Sequence, residues 1–110
     1  MDSLLVITNL PDRESAEKLA VLLVERRLAA CVNILAPCAS VYRWQGEIQH
    51  DAEHPLLIKT VPERYAELEA SIRANHPHEL PEIIAVSVVR GLPAYLQWVE
   101  AETQSNGERD

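Results

Sequence analysis

Residues 31–60 hold the feature that most restricts what this chain can become: two strand-like arms joined by a tight Gln45-Gly46 turn. The first arm reaches back to Cys31 and the second runs on to Thr60. Strands in globular domains hold about five or six residues, so arms of this length predict a ribbon that overhangs a small domain. An overhanging ribbon exposes unpaired backbone groups along its edges and needs cover. A second copy of the same chain is the simplest cover. Inside the arms, Gly46 is expected at positive φ in the turn. Val41 and Arg43 alternate with Tyr42 and Trp44. Pro37 predicts a bulge or an edge, and Pro55 predicts a break before the buried Leu56-Leu57-Ile58.

The remaining elements read in order. Leu4–Thr8 is a short aliphatic strand, predicted to be buried on both faces and ended by Asn9-Leu10-Pro11. Asp12 is a helix N-cap, and Ala16, Leu19, Ala20 and Leu23 recur on one face of a helix predicted to end near Leu28. Glu14 and Lys18 stand at the favourable i, i+4 spacing on the other. Thr60-Val61-Pro62-Glu63 reads as a capping box with Thr60 accepting. A second helix follows with Tyr65, Leu68 and Ile72 inward, stopped by Asn75 and Pro77. Residues 83–89 form the last strand, and Leu92, Leu96 and Val99 mark a third helix. This order predicts an α+β fold: a ferredoxin-like β-α-β-β-α-β antiparallel sheet with an extra C-terminal helix. Residues 1–102 make one domain, and 103–110 read as a polar tail expected to be disordered.

Composition narrows the function. The formal charge is -7, which repels phosphate backbones and argues against a nucleic-acid partner. No apolar stretch approaches the roughly 18 residues of a membrane span. The N-terminus shows no basic head or cleavage site, so no signal peptide is expected. Cys31 and Cys38 lie in one extended arm without a CxxC spacing, which predicts free thiols in a reducing cytoplasm. No base stands near a nucleophile in the sequence, so no enzyme is predicted. A single basic residue after the first strand, Arg13, sits beside Asp12, which disfavours an acylphosphatase-like anion loop. Only three glycines are present, which weakly supports any nucleotide cradle.

Several blocks occur together: Ala30-Cys31-Val32-Asn33-Ile34, Ser40-Val41-Tyr42-Arg43-Trp44-Gln45-Gly46-Glu47-Ile48, Leu57-Ile58-Lys59-Thr60, His76-Pro77-His78-Glu79-Leu80-Pro81-Glu82-Ile83 and Tyr95-Leu96-Gln97-Trp98. In this order they resemble the CutA family of divalent-cation tolerance proteins, over essentially the whole chain up to the tail. The resemblance implies a homotrimer of PII-like architecture, in which long hairpin arms pair between subunits. It implies a part in tolerance of copper and other divalent metals, with no settled reaction and no organic cofactor. Some bacterial members offer a Cys at the end of the first strand and a His-His pair before the proline as proposed copper ligands. Those positions here are Thr8 and Asn75-His76, so only His76 of that set is present. The residue after His76-Pro77, commonly Tyr in the family, is His78.

These blocks define the candidate residues. His76 and His78 are candidate ligands for Cu(II) or another divalent cation, since imidazole suits such ions. Their alternative is a solvated helix-to-strand connection. His50 and His54 share one face of the return arm and read as a solvated arm or an intersubunit contact. Cys31 is a small buried thiol or a soft ligand. Lys59, Glu79 and Glu82 are charges beside buried strands, and Tyr95 and Trp98 are aromatics on the last helix. With Cys31 these could line a cleft between subunits that takes a small anion or metabolite, as in a PII-like sensor. Tyr42 and Trp44 are assigned to the trimer interface, where Trp98 packing is also expected.

Overall fold

The computed structural model describes residues 2–105. Five strands and three helices follow one another: β1 (Ser3–Leu10), α1 (Arg13–Glu25), β2 (Cys31–Ile34), β3 (Cys38–Trp44), β4 (Glu47–Thr60), α2 (Pro62–Ala74), β5 (Ile83–Val88) and α3 (Pro93–Glu102). The sheet is antiparallel in the order β2-β4-β1-β5, and β3 pairs with the outer half of β4. This is the connection order predicted for the β-α-β-β-α-β unit, with α3 added.

One face of the sheet carries the core. Val6, Leu10, Leu56 and Ile58 are fully buried against Ala16, Leu19 and Leu23 of α1 and Leu68 and Ile72 of α2. The 3.6-residue period of α1 thus meets the two-residue period of β1 and β4 on a single surface. Asp12 begins α1 by accepting from the Ser15 backbone N–H at 2.7 Å. The same bond to Ser15 holds the Asp12 carboxyl below its ordinary value. The ion pair on α1 joins Arg13 and Glu17 at 3.0 Å rather than Glu14 and Lys18.

The opposite face is open. Leu5 and Val86 stand side by side in register, as do Ile7, Leu57 and Ile84. Ile84 and Val86 are each 49 % exposed. β1 was expected to be buried on both faces; it is buried on one, with Leu5 and Ile7 only half-covered. An aliphatic run fits a two-sided burial, and within one copy the second layer is missing. α3 packs at the Cys31–Thr60 end, where Val99 joins Ala30 and Val61 in a second small cluster.

Four local expectations need correction. α1 ends at Glu25, because Arg27 takes a left-handed φ of 58° and the Leu28 N–H turns back to the Leu23 carbonyl. Pro55 does not break β4, which runs for 14 residues. The Pro55 carbonyl accepts from the Leu35 N–H at 2.9 Å. Its absent donor points the same way, toward the gap between β2 and β3, so no ladder partner is lost there. Thr60 does not cap α2; Val61 occupies that position without a side-chain bond. The Thr60 hydroxyl instead donates to the Leu28 carbonyl at 2.7 Å, tying β4 to the end of α1. Thr103, assigned to the tail, is buried at the end of α3, with its hydroxyl on the Val99 carbonyl at 2.8 Å. Of the tail expected to be disordered, 103–110, residues 106–110 lie outside the described residues.

The hairpin turn is as expected, with Gln45 joining Gly46 at positive φ, 51° and 83°, the two-residue geometry that matches strand twist. The β3–β4 ribbon extends the molecule to 48 × 29 × 22 Å.

Candidate functional site

The candidate residues fall into two groups at opposite ends of the sheet. Lys59 and Glu82 do not meet: Lys59 pairs with Leu5, whereas Glu82 bonds to Asn9, four residues further along β1. That separation is roughly 13 Å along a strand. The expected common cleft of Lys59, Glu79, Glu82, Tyr95 and Trp98 is therefore divided within one copy of the chain.

The first group surrounds a cleft of about 680 Å³ between β3 and the connection from α2 to β5. His76, His78, Glu79 and Glu82 line one wall, and Tyr42 and Trp44 the other. Asn9, at the end of β1, fixes both ends of this connection. Its carbonyl meets His76 Nε2 at 2.6 Å, and its side-chain amide donates to Glu82 Oε1 at 2.8 Å. His76 Nδ1 lies 3.1 Å from the backbone N–H of His78 and must accept from it. Nε2 therefore carries the proton and donates to Asn9. Both nitrogens of His76 are committed to backbone partners, so a metal can take this ring only by displacing one of them.

His78 differs. Its ring is exposed, 5.0 Å from that of His76, and makes no hydrogen bond among the described residues. It is the imidazole available in the cleft. Glu53 adds a carboxylate from β4. Among the described residues no three His, Cys, Asp or Glu side chains converge on a common point. Tyr42 donates its hydroxyl to Asp51 across the hairpin, and this bond raises the phenol above its ordinary value. His50 is exposed, while His54 is half-buried beside Leu10.

The second group sits on the open face. Cys31 is paired in register with Lys59, and Asn33 with Leu57. The Lys59 ammonium donates to Asn33 Oδ1 and lies 3.9 Å from Cys31 Sγ. Burial, followed by the neighbouring Cys31, raises the Tyr95 phenol. The Trp98 ring lies against that of Tyr95, tilted by 38° with 5.6 Å between centroids. Cys31 and Cys38 are free thiols, Cys38 being exposed.

Asn9 was not among the sequence candidates. The signal was faint: a single amide ahead of Leu10-Pro11, whose partners lie 67 and 73 residues away.

The family model described as CutA1 divalent ion tolerance protein matches residues 4–102. The chain belongs to the CutA1 family. A CutA1 relative, the divalent-cation tolerance protein CutA of Thermus thermophilus, is 43 % identical over 103 residues, covering 94 % of this chain and 99 % of that one. A solved structure of the Thermus thermophilus protein aligns with a TM-score of 0.91 over 93 % of this chain and 99 % of that one, at 41 % identity. The structure of CutA from Xylella fastidiosa gives 0.91 at 44 % identity, over 94 % of this chain and all of that one (100 %). The α+β fold, antiparallel sheet and three helices are those of CutA1 structures. A chloroplastic CutA of Arabidopsis thaliana is 40 % identical over 94 % of this chain, which spans 57 % of that protein's length. None of these names specifies a reaction. Among the described residues no helix is long and apolar enough to cross a membrane.

Proposed function

We propose that this CutA1 family member acts in tolerance of divalent cations as a cytoplasmic homotrimer, binding Cu(II) or another divalent ion weakly and without an organic cofactor. The observation that carries the reading is the cleft beside β3, whose lining holds the unengaged imidazole of His78 and the carboxylates of Glu53, Glu79 and Glu82. An imidazole with carboxylates suits Cu(II) or Zn(II). Fewer than three converging ligands favours weak binding over a closed site. Two free cysteines suit a reducing compartment. The open apolar face and the projecting hairpin support self-association, since each would lie in water in a lone copy.

Calorimetric titration of the metal-stripped, tag-free protein with Cu(II) and Zn(II) tests this. Saturable binding at an integral ratio per chain is expected, lost in His78→Ala. His76→Ala is expected to act differently, lowering thermal stability by removing two backbone partners, at about 1 kcal/mol each. Binding that is non-stoichiometric and indifferent to His78→Ala would remove the metal site and leave tolerance an indirect consequence.

A second reading, a PII-like trimer sensing a small molecule at the boundary between copies, is favoured by a separate observation: the polar cluster around Lys59 on the face that self-association would cover.

A further inference from the structure

Lys59 is unlike the other cations that hold a place in the fold. It is half-buried in β4, with Leu5 on one side and Cys31 on the other. The ion pairs among the described residues belong to Arg13, Arg27 and Arg64. None reaches Lys59. An ammonium offers three donors. Asn33 Oδ1 takes one, the weakly accepting Cys31 Sγ lies at 3.9 Å, and no carboxylate stands within reach among the described residues. In one copy the bond to Asn33 is exposed and the ammonium still reaches water; covering the open face would withdraw it, which is costly without a counter-charge. Leu5 and Leu57 lie on the same face as an apolar floor, and Tyr95 stands beside Cys31 with Trp98 next to it.

We propose that Lys59, Asn33, Cys31 and Tyr95 form a binding site for a small organic carboxylate, closed when a second copy of the chain covers the open face. The proposal rests on the small-molecule reading above and gives its ligand a chemical class. One ammonium balances one negative charge. A phosphate dianion would leave one of its two charges unbalanced at this single ammonium. The chain's formal charge of -7 further disfavours a polyanion. The carboxylate fills the open donor position of Lys59, and its hydrocarbon body lies on Leu5, Leu57 and the aromatic pair.

Calorimetric titration of the full chain with sodium benzoate, against sodium chloride at matched ionic strength, tests the site, with light scattering on the same samples. Saturable benzoate binding is expected. Lys59→Met should weaken it by roughly tenfold or more, the worth of one hydrogen bond to a charged group. Tyr95→Phe, which keeps the ring and the packing, should weaken it by roughly three- to tenfold. Inorganic phosphate should bind less tightly than benzoate. Benzoate heats no different from chloride overturn the site. So does a Lys59→Met chain that falls apart while the unsubstituted assembly ignores benzoate, since Lys59 would then pair with a carboxylate of the neighbouring copy. An assembled chain that ignores benzoate removes the site and leaves self-association standing. A monomer that binds benzoate keeps the site and removes the cover.

Discussion

Ile58→Ala is expected to cost about 2–5 kcal/mol of folding stability, the largest loss of any single truncation considered for this chain. Ile58 is fully buried in β4 and stands between Val6 of β1 and Val32 of β2 in register. It joins the two middle strands of the sheet to the layer formed by Leu19, Leu23, Leu68 and Ile72. Removing three methyl and methylene groups there leaves a cavity that β4 cannot close, because it is paired on both sides. Urea denaturation at fixed protein concentration checks the result: the midpoint should fall with an unchanged slope. Val21→Ala is the control. Val21 is 56 % exposed on α1, and its truncation should change stability by no more than about 0.5 kcal/mol. Equal effects of the two substitutions would mean that the core does not lie where Ile58 places it.

Val86→Glu is expected to do the reverse, leaving the fold intact and weakening self-association by roughly a hundredfold or more. Val86 sits beside Leu5 on the open face and is 49 % exposed in one copy. A carboxylate there is harmless in water. When another copy covers it, a carboxylate is taken out of water in place of an apolar contact at several kcal/mol, and about 1.4 kcal/mol is a factor of ten in an association constant. Sedimentation velocity across a concentration series should show dissociation at concentrations where the unsubstituted chain stays assembled. Unchanged far-ultraviolet circular dichroism would show that the fold survives. An unchanged assembly would place the interface elsewhere.

The contrast between these residues shows what the sequence makes legible. Ala16, Leu19, Ala20 and Leu23 repeat at helical spacing, so the buried face of α1 follows from local chemistry alone. Gln45-Gly46 likewise carries its own turn geometry. Pro55 does not, because its effect depends on where β2 ends, and that gap lies on another strand. Thr60 looked like a cap from its neighbours; its hydroxyl has a better acceptor in Leu28, brought close only by the tertiary fold. The candidate site divides in the same manner. His76 and His78 were visible as a pair of imidazoles, but the commitment of His76 to Asn9 and to the His78 backbone depends on where β1 ends. Lys59 was visible as a charge beside a buried strand, while its lack of a carboxylate depends on what the neighbouring strands present. Glu79 and Glu82 were grouped with it because no sequence spacing distinguishes the two ends of one sheet.

The open face and the overhanging hairpin together support the proposal that copies of this chain assemble. Its solution mass by light scattering at micromolar concentration tests that proposal most directly. The expected mass is three times the 12.3 kDa of one chain. A mass of 12.3 kDa would contradict it, leaving Ile84 and Val86 exposed to water in the working protein.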